Sequence, residues 1–260
     1  MFPINDTEKN RYTSLPFMTL VIILVNILIL IAVGGNVGTY YVLGVTPSLV
    51  ISQQGGGAVT AVTHMFLHGG LLHLFSNMLA LWVFGRRVED VCGPWRFLAF
   101  YLVCGFMADI IAVITRMHST IPGIGASGAL YGVMAAYLML FPKGRIRILF
   151  IFWFLPVFNM NFLNGLWLFV SVIFWAGYIL TADKGLIRSA LSLYFPTIRA
   201  YLVILFFVLL EIPRALQVLV FDIEASVGHW AHLGGFLGGL FIFFFLRSDA
   251  FHRYRNELPL

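Results

Sequence analysis

The sequence I-P-G-I-G-A-S-G-A-L-Y-G occupies residues 121–132 and leads into a long apolar run. It places one hydroxyl, that of Ser127, among the small residues Gly125, Ala126 and Gly128. Small neighbours leave a hydroxyl uncovered and allow another backbone to approach closely. By itself the stretch would indicate only tight packing between membrane helices. A second polar cluster and a distant histidine favour a functional role as well.

The composition indicates a membrane protein. Of 260 residues, 60% are hydrophobic and 10% are charged, whereas a soluble domain carries about 25% charged residues. We therefore predict an all-α polytopic membrane protein embedded in a lipid bilayer. The net charge of +5 does not indicate a nucleic-acid partner, because most Lys and Arg residues flank apolar segments. Cys92 and Cys104 are expected to be free thiols, since the second lies within an apolar run.

Apolar segments of bilayer length predict the membrane spans. They lie at residues 16–33, 71–85, 97–114, 127–141 and 230–246. The region 146–221 leaves the count open, because it contains a proline-interrupted run (146–158), a span at 162–180 and a further apolar stretch at 200–221. One or three crossings there would put Ser127 and His232 on the same side of the membrane, and three would make eight spans. Glu211 and Arg214 are one helical turn apart and able to pair.

Basic residues predict the orientation of these spans. They cluster at the N-terminus and after the second, fourth and last spans, which the positive-inside rule places in the cytoplasm. The connection 36–68 has no Lys or Arg and is expected to be structured on the opposite side. We predict a cytoplasmic segment at 1–15, a membrane domain at 16–247 and a cytoplasmic tail at 248–260. The arrangement suggests a plasma (inner) membrane.

Polar residues from three spans are predicted to lie at one depth, near the non-cytoplasmic face. Ser127 opens the fourth span and His232 opens the last. His73 and Asn77 are four residues apart, so they project from one face of the second span. Polar groups in lipid are costly unless they meet partners or serve a site. The simpler interpretation of His73 and Asn77 is interhelical hydrogen bonding.

A stripe of glycines predicts how the fourth and last spans meet. Gly235 and Gly239 follow His232 along one helix face, and Gly128 and Gly132 form a similar surface on the fourth span. Packing of these faces would bring His232 beside Ser127. A serine hydroxyl needs an adjacent base to act as a nucleophile, and histidine is the usual base near neutral pH.

Other groups complete the predicted site. Tyr131, one turn after Ser127, could flank the imidazole. No Asp or Glu is predicted to orient His232, so the expected arrangement is a dyad. The Ser127 N–H and the His73 and Asn77 side chains are the candidate donors to a developing oxyanion.

The three motifs together resemble the rhomboid family of intramembrane serine proteases. They are G-A-S-G on one span, H-x-x-x-N on an earlier span and A-H-x-x-G-x-x-x-G on the last. The similarity runs from the first span to Pro142 and resumes over 228–246. It implies a six-helix core, with additional hydrophobic helices between core spans four and six. Many members carry Trp-Arg before the second span, where this chain has Val59-Thr60.

The resemblance also implies a function. Ser127 would be the nucleophile, His232 the base, and His73, Asn77 and the Ser127 amide the oxyanion hole, with Tyr131 stacked on His232. The implied activity is cleavage of transmembrane protein substrates near the membrane surface, without metal or other cofactor.

Two other functions are also compatible with the sequence. A rhomboid-like protein that binds membrane clients without cutting them is one. A small transporter is the other, resting on Asp109 and the Glu211/Arg214 pair, because charges within a membrane often mark pathways. A zinc protease is disfavoured because no H-E-x-x-H motif occurs. His64 and His68 could ligate a metal, but we interpret them as residues that anchor a loop.

Overall fold

The structure, a computed structural model, describes residues 2–8, 15–33, 36–149, 196–221 and 228–254. Within these ranges the chain is mostly helical. The helices are α1 (Phe17–Val33), α2 (Val37–Leu43), α3 (Pro47–Ile51), α4 (Thr60–Thr63), α5 (Leu71–Ala80), α6 (Arg86–Cys92), α7 (Pro94–Thr115), α8 (Ser127–Leu140), α9 (Ala200–Phe221) and α10 (His229–Tyr254). The predicted span 162–180, and all but the start of the run 146–158, lie outside the described residues.

Two of the described helices, α7 and α9, are long and apolar enough to cross a membrane. A third crossing results if the bent pair Thr60–Phe66 and Leu71–Cys92, whose axes differ by 96°, counts as one broken span. The helices α1 and α8 are apolar but shorter. Many large apolar side chains on α1, α7 and α9 are exposed in the structure, as a lipid-facing surface requires.

The centre of the bundle is formed by α8 and α10. All side chains from Gly128 to Tyr137 are buried, and α10 packs along both α7 and α8. Glycines make this close approach possible, because a β-carbon at Gly239 would lie 2.6 Å from the Gly132 backbone. The predicted glycine faces do meet in the structure. The first half of α8 is thereby placed against the start of α10.

The second predicted span extends beyond its predicted end. Helical structure continues from α5 through a π-helical turn (Leu81–Gly85) into α6, so the helix does not stop at Arg86-Arg87. Both arginines bind Asp6 instead: Arg87 donates to its carboxylate at 2.7 and 2.8 Å, and Arg86 at 2.5 Å. A charge on a helix can remain inside a protein when a buried partner neutralises it. The Arg-Arg pair is therefore an internal anchor in this fold.

The prediction of an all-α chain is wrong at three short segments. Strands β1 (Phe2–Asp6), β2 (Arg145–Leu149) and β3 (Thr197–Arg199) form an antiparallel sheet in the order β1-β2-β3. The sequence predicts an apolar segment from Ile146, which overlaps β2. Its alternating Arg and Ile residues are typical of a strand with one buried face, and Ile146 and Ile148 are fully buried.

The sheet also determines where the helix of residues 200–221 begins in the fold. Because β3 leads directly into α9, this helix starts beside the end of α8 and then packs against α8 and α10. The sequence predicts this stretch as an addition to the six-helix core. The structure places it next to the predicted site.

Candidate active site

Ser127 is the first residue of α8, and its hydroxyl is half-buried. The N–H groups of the first helical turn have no partner within the helix, so the Ser127 N–H belongs to a set of available donors. Gly125, two residues earlier, adopts φ +120°, a conformation that favours glycine. Its N–H donates to the His64 carbonyl at 2.8 Å, which fixes the loop in front of Ser127.

His232 reaches Ser127 from the first turn of α10. Its Nε2 atom lies 2.7 Å from Ser127 Oγ, although the two residues are 105 positions apart in the chain. The imidazole is 8% exposed. The two residues are thus in direct hydrogen-bond contact, in a position where the hydroxyl can donate to the ring.

Tyr131 covers one face of that imidazole. The two rings are parallel within 7°, and their centroids are 4.5 Å apart. Tyr131 lies one turn after Ser127 on α8, so one helix supplies both the hydroxyl and the stacking ring. This stack fixes the plane of the His232 ring.

His73 and Asn77 of α5 line the same cavity as Ser127 and His232. Their side chains lie directly against Gly125, where an added β-carbon would be 2.9 Å from His73 Nε2 and 3.8 Å from Asn77 Nδ2. Asn77 Nδ2 also lies 2.9 Å from His68 Nε2. The structure therefore brings the predicted oxyanion-hole residues to one cavity.

The sequence predicts no Asp or Glu as a third member beside His232, but the structure brings a carboxylate close to this ring. Glu211, on α9, has its Oε2 atom 3.2 Å from His232 Nδ1 and 2.6 Å from His229 Nδ1. Its Oε1 atom accepts a hydrogen bond from the Tyr131 hydroxyl at 2.8 Å. The sequence predicts that Glu211 can pair with Arg214, a residue of the same helix. The signal that could have identified Glu211 is that it is an acid in the middle of an apolar helix, where it must find partners on other helices.

A cavity of about 520 Å³ opens beside these residues. It lies between α5 and α9 and exposes the Ser127 and His232 side chains. Apolar residues form most of the wall, and Arg214 is an exposed cation at its edge. Pro3 of β1 also lines it. The cavity is large enough for an extended peptide segment of a few residues.

The polar residues His64, His68 and Asp109 each have a polar partner in the structure. His64 Nε2 contacts Asp109 Oδ2 at 3.0 Å, and both side chains are largely buried. His68 accepts a hydrogen bond on its carbonyl from Tyr40 and contacts Asn77. The segment 36–68 forms α2 to α4 and a 3₁₀ turn. These contacts attach it to α7 and α5. His64 and His68 have separate partners in the structure, which favours anchoring over metal binding.

One group in the described part of the chain could hold a metal ion, namely Glu211, His229 and His232, whose ligand atoms lie within 4.8 Å of one another. Two imidazoles and a carboxylate suit zinc. The 2.6 Å contact between Glu211 and His229 is a hydrogen-bond distance. It would have to lengthen before an ion could enter.

The model of the Rhomboid domain matches residues 55–188, just over half of the chain. The chain belongs to the rhomboid family. The match includes Ser127, His73 and Asn77 of this rhomboid, whereas Glu211 and His232 lie beyond it. His232 is predicted from its own sequence motif and contacts Ser127 in the structure, whereas Glu211 is assigned to the site by the structure alone.

Relatives of this rhomboid come from animals, plants and bacteria. A "Presenilin-associated rhomboid-like protein, mitochondrial" of Rattus norvegicus is 34% identical over 103 residues, which are 39% of this chain and 26% of that protein. "RHOMBOID-like protein 5" of Arabidopsis thaliana is 31% identical over 105 residues, 40% of this chain and 33% of that protein. "Rhomboid protease GluP" of Bacillus subtilis is 37% identical over 103 residues, 40% of this chain and 19% of that protein. This rhomboid, an integral membrane protein, thus matches a third or less of each relative's length.

Proposed function

We propose that this rhomboid is an intramembrane serine endopeptidase that cleaves transmembrane protein substrates near the membrane surface. The observation that supports this most directly is the 2.7 Å contact between Ser127 Oγ and His232 Nε2. A serine beside a histidine, facing a cavity, is the arrangement that acyl transfer requires. The family includes a bacterial relative whose name is rhomboid protease.

The proposed reaction proceeds through an acyl-enzyme. Ser127 Oγ attacks the carbonyl carbon of the scissile peptide while His232 Nε2 accepts the hydroxyl proton. The carbonyl π electrons move to the oxygen. When the tetrahedral intermediate collapses, the C–N bond breaks and the leaving amine takes the proton from Nε2. A water molecule, deprotonated by the same nitrogen, then hydrolyses the ester and restores Ser127.

The developing oxyanion needs donors that are in place before the reaction. The Ser127 N–H at the start of α8 and the side chains of His73 and Asn77 are the proposed donors, with support from their shared cavity. Loss of one such donor lowers kcat by roughly 10²- to 10³-fold in a serine protease. We therefore expect Asn77→Ala to reduce the rate constant of single-turnover cleavage by about that factor.

The proposed membrane arrangement follows from the described helices. Six of the spans would be α1, the broken α4–α6 segment, α7, α8, α9 and α10. This makes α9, and not a segment of 150–195, the fifth helix of the core. The pattern of basic residues supports cytoplasmic termini and a plasma (inner) membrane.

Cleavage of a model single-span substrate in liposomes tests the function. We expect wild type to cut the substrate with or without EDTA, and Ser127→Ala and His232→Ala to have no activity above background. A fluorophosphonate probe should label wild type but not Ser127→Ala. Equal cleavage by Ser127→Ala would exclude Ser127 as the nucleophile. Folded wild-type protein that binds substrates but cuts none would support the client-binding alternative.

A further inference from the structure

Glu211 is a buried carboxylate to which the proposed reaction assigns no role. It is 7% exposed, on an apolar helix, and three side chains of the site surround it. A carboxylate in such a position costs free energy unless several donors satisfy it. Tyr131 and His229 supply two of these donors, at 2.8 and 2.6 Å. The third neighbour is His232.

The Nδ1 atom of His232 is the complementary feature. It is buried and has no aligned hydrogen-bond partner among the described residues. Glu211 Oε2 lies 3.2 Å away, within ion-pair distance but off the direction of a good hydrogen bond. Contacts of this kind in a site without substrate often tighten when the substrate binds. A small rotation of the Glu211 carboxylate would give Nδ1 its missing partner.

We propose that Glu211 is the positioning residue of this site, and that its carboxylate, brought by α9, receives the Nδ1–H of His232 and keeps Nε2 directed at Ser127. The inference rests on the proposed function and deepens it, because it replaces the expected dyad with an assembly of three residues. A carboxylate accepts hydrogen bonds and donates none when ionised. It therefore favours the tautomer that leaves Nε2 free to take the serine proton, and it stabilises the imidazolium that forms.

Two further contacts hold Glu211 in the position that this role needs. Tyr131 stacks on the His232 ring and donates its hydroxyl to the same carboxylate, so the ring and its acceptor are fixed by one residue. Trp230 Nε1 donates to the Ala215 carbonyl at 2.9 Å and joins α10 to α9 one turn beyond Glu211. The carboxylate is thus positioned relative to both helices that carry the reacting groups.

Three substitutions at one position test the role. Glu211→Gln keeps the shape and removes the charge. We expect it to lower kcat at least roughly tenfold with KM unchanged, but less than the roughly 10⁴-fold loss that follows when a well-aligned orienting carboxylate is neutralised. Glu211→Asp should retain part of the activity. Glu211→Ala leaves space beside the cavity, and added formate should raise its kcat in a concentration-dependent manner.

Glu89→Gln is the matched control. Glu89 is also a buried carboxylate, 2% exposed, but it accepts from the backbone N–H groups of Met18 and Thr19 at 2.7 and 2.8 Å, away from the cavity. We expect this variant to lose thermal stability while kcat of the folded protein is unchanged. Wild-type kcat in folded Glu211→Gln would overturn the proposal. A failure of the proposed function would appear as no cleavage by wild type or as equal cleavage by Ser127→Ala, whereas a failure of the Glu211 role would leave Ser127-dependent cleavage intact in Glu211→Gln.

A measurement on wild type covers the possibility that Glu211→Gln does not fold. With ¹⁵N-labelled histidine, and His232→Gln to assign the signal, the neutral His232 ring should carry its proton on Nδ1. A proton on Nε2 would overturn the proposal. So would a loss of wild-type cleavage in EDTA that Zn²⁺ restores, because that result would assign Glu211, His229 and His232 to a metal.

Discussion

Gly235 packs directly against Gly128, so that a β-carbon added at Gly235 would overlap with the Gly128 carbonyl oxygen and lie 2.8 Å from its carbonyl carbon. The obstacle is backbone, which cannot rotate away as a side chain can. Gly235 lies three residues after His232, and Gly128 lies one residue after Ser127. The spacing between the two helices therefore also sets the distance between the two proposed reacting groups.

We expect Gly235→Val to separate α8 from α10 and to reduce cleavage strongly while the protein still inserts into the membrane. Overpacking of this kind costs about 1–3 kcal/mol of stability. Leu237→Val, on the same helix but 63% exposed, is the control and should behave like wild type. Cleavage by Gly235→Val at the wild-type rate would contradict the role of this contact.

Gly125→Ala should impair the oxyanion donors. The substitution introduces strain at φ +120° and places a methyl group 2.9 Å from His73 Cε1 and Nε2. Gly57→Ala is a matched control, because Gly57 also has a positive φ, +54°, but has open space around it. Both variants should lose some thermal stability, and only Gly125→Ala should show a reduced kcat. Equal kcat in the two variants would count against the placement of His73.

Asp109→Asn distinguishes a structural charge from a transport pathway. In the structure Asp109 pairs with His64, whose carbonyl holds the loop before Ser127. Loss of the charge should lower the melting temperature and reduce cleavage less than tenfold. Ser127→Ala, measured in parallel, should remove cleavage completely. If Asp109→Asn were as inactive as Ser127→Ala while fully folded, Asp109 would belong to the reaction.

Asp6→Asn should destabilise the protein by about 3–5 kcal/mol, because it neutralises a buried carboxylate that pairs with two arginines. The Asp6 side chain is fully enclosed and binds both Arg86 and Arg87. Thr7→Ala, one residue later and exposed, should have little effect. Unfolding in a denaturant series, followed by tryptophan fluorescence, gives both values. An Asp6→Asn midpoint equal to wild type would show that the arginines find other partners.

The contact between Ser127 and His232 could be predicted from sequence because it depends on a repeated pattern. Glycines four residues apart mark a helix face that another backbone can touch, and both polar residues occupy the same end of such faces. The parallel stack of Tyr131 follows from its position one turn after Ser127. Local periodicity was sufficient for these residues.

Glu211 could not be placed in the same way. Its partners Tyr131 and His229 are 80 and 18 positions away, and only the packing of α9 brings them together. Arg214 lies at helical spacing from Glu211, so the sequence predicts a pair within one helix. This local pattern contains no information about the partners of Glu211 on other helices. The strands were missed for a related reason. Each has five residues or fewer, and the pairing of β1 with β2 joins residues about 140 positions apart.

The small sheet has a mechanical consequence for the cavity. One end of the gap between α5 and α9 is bridged by β1, which is fastened to α6 through Asp6, and by β3, which continues into α9. Separating α5 from α9 at that end would break the hydrogen bonds of at least one of the two strand pairs. The sheet therefore resists separation of these two helices at the end of the cavity that Pro3 lines.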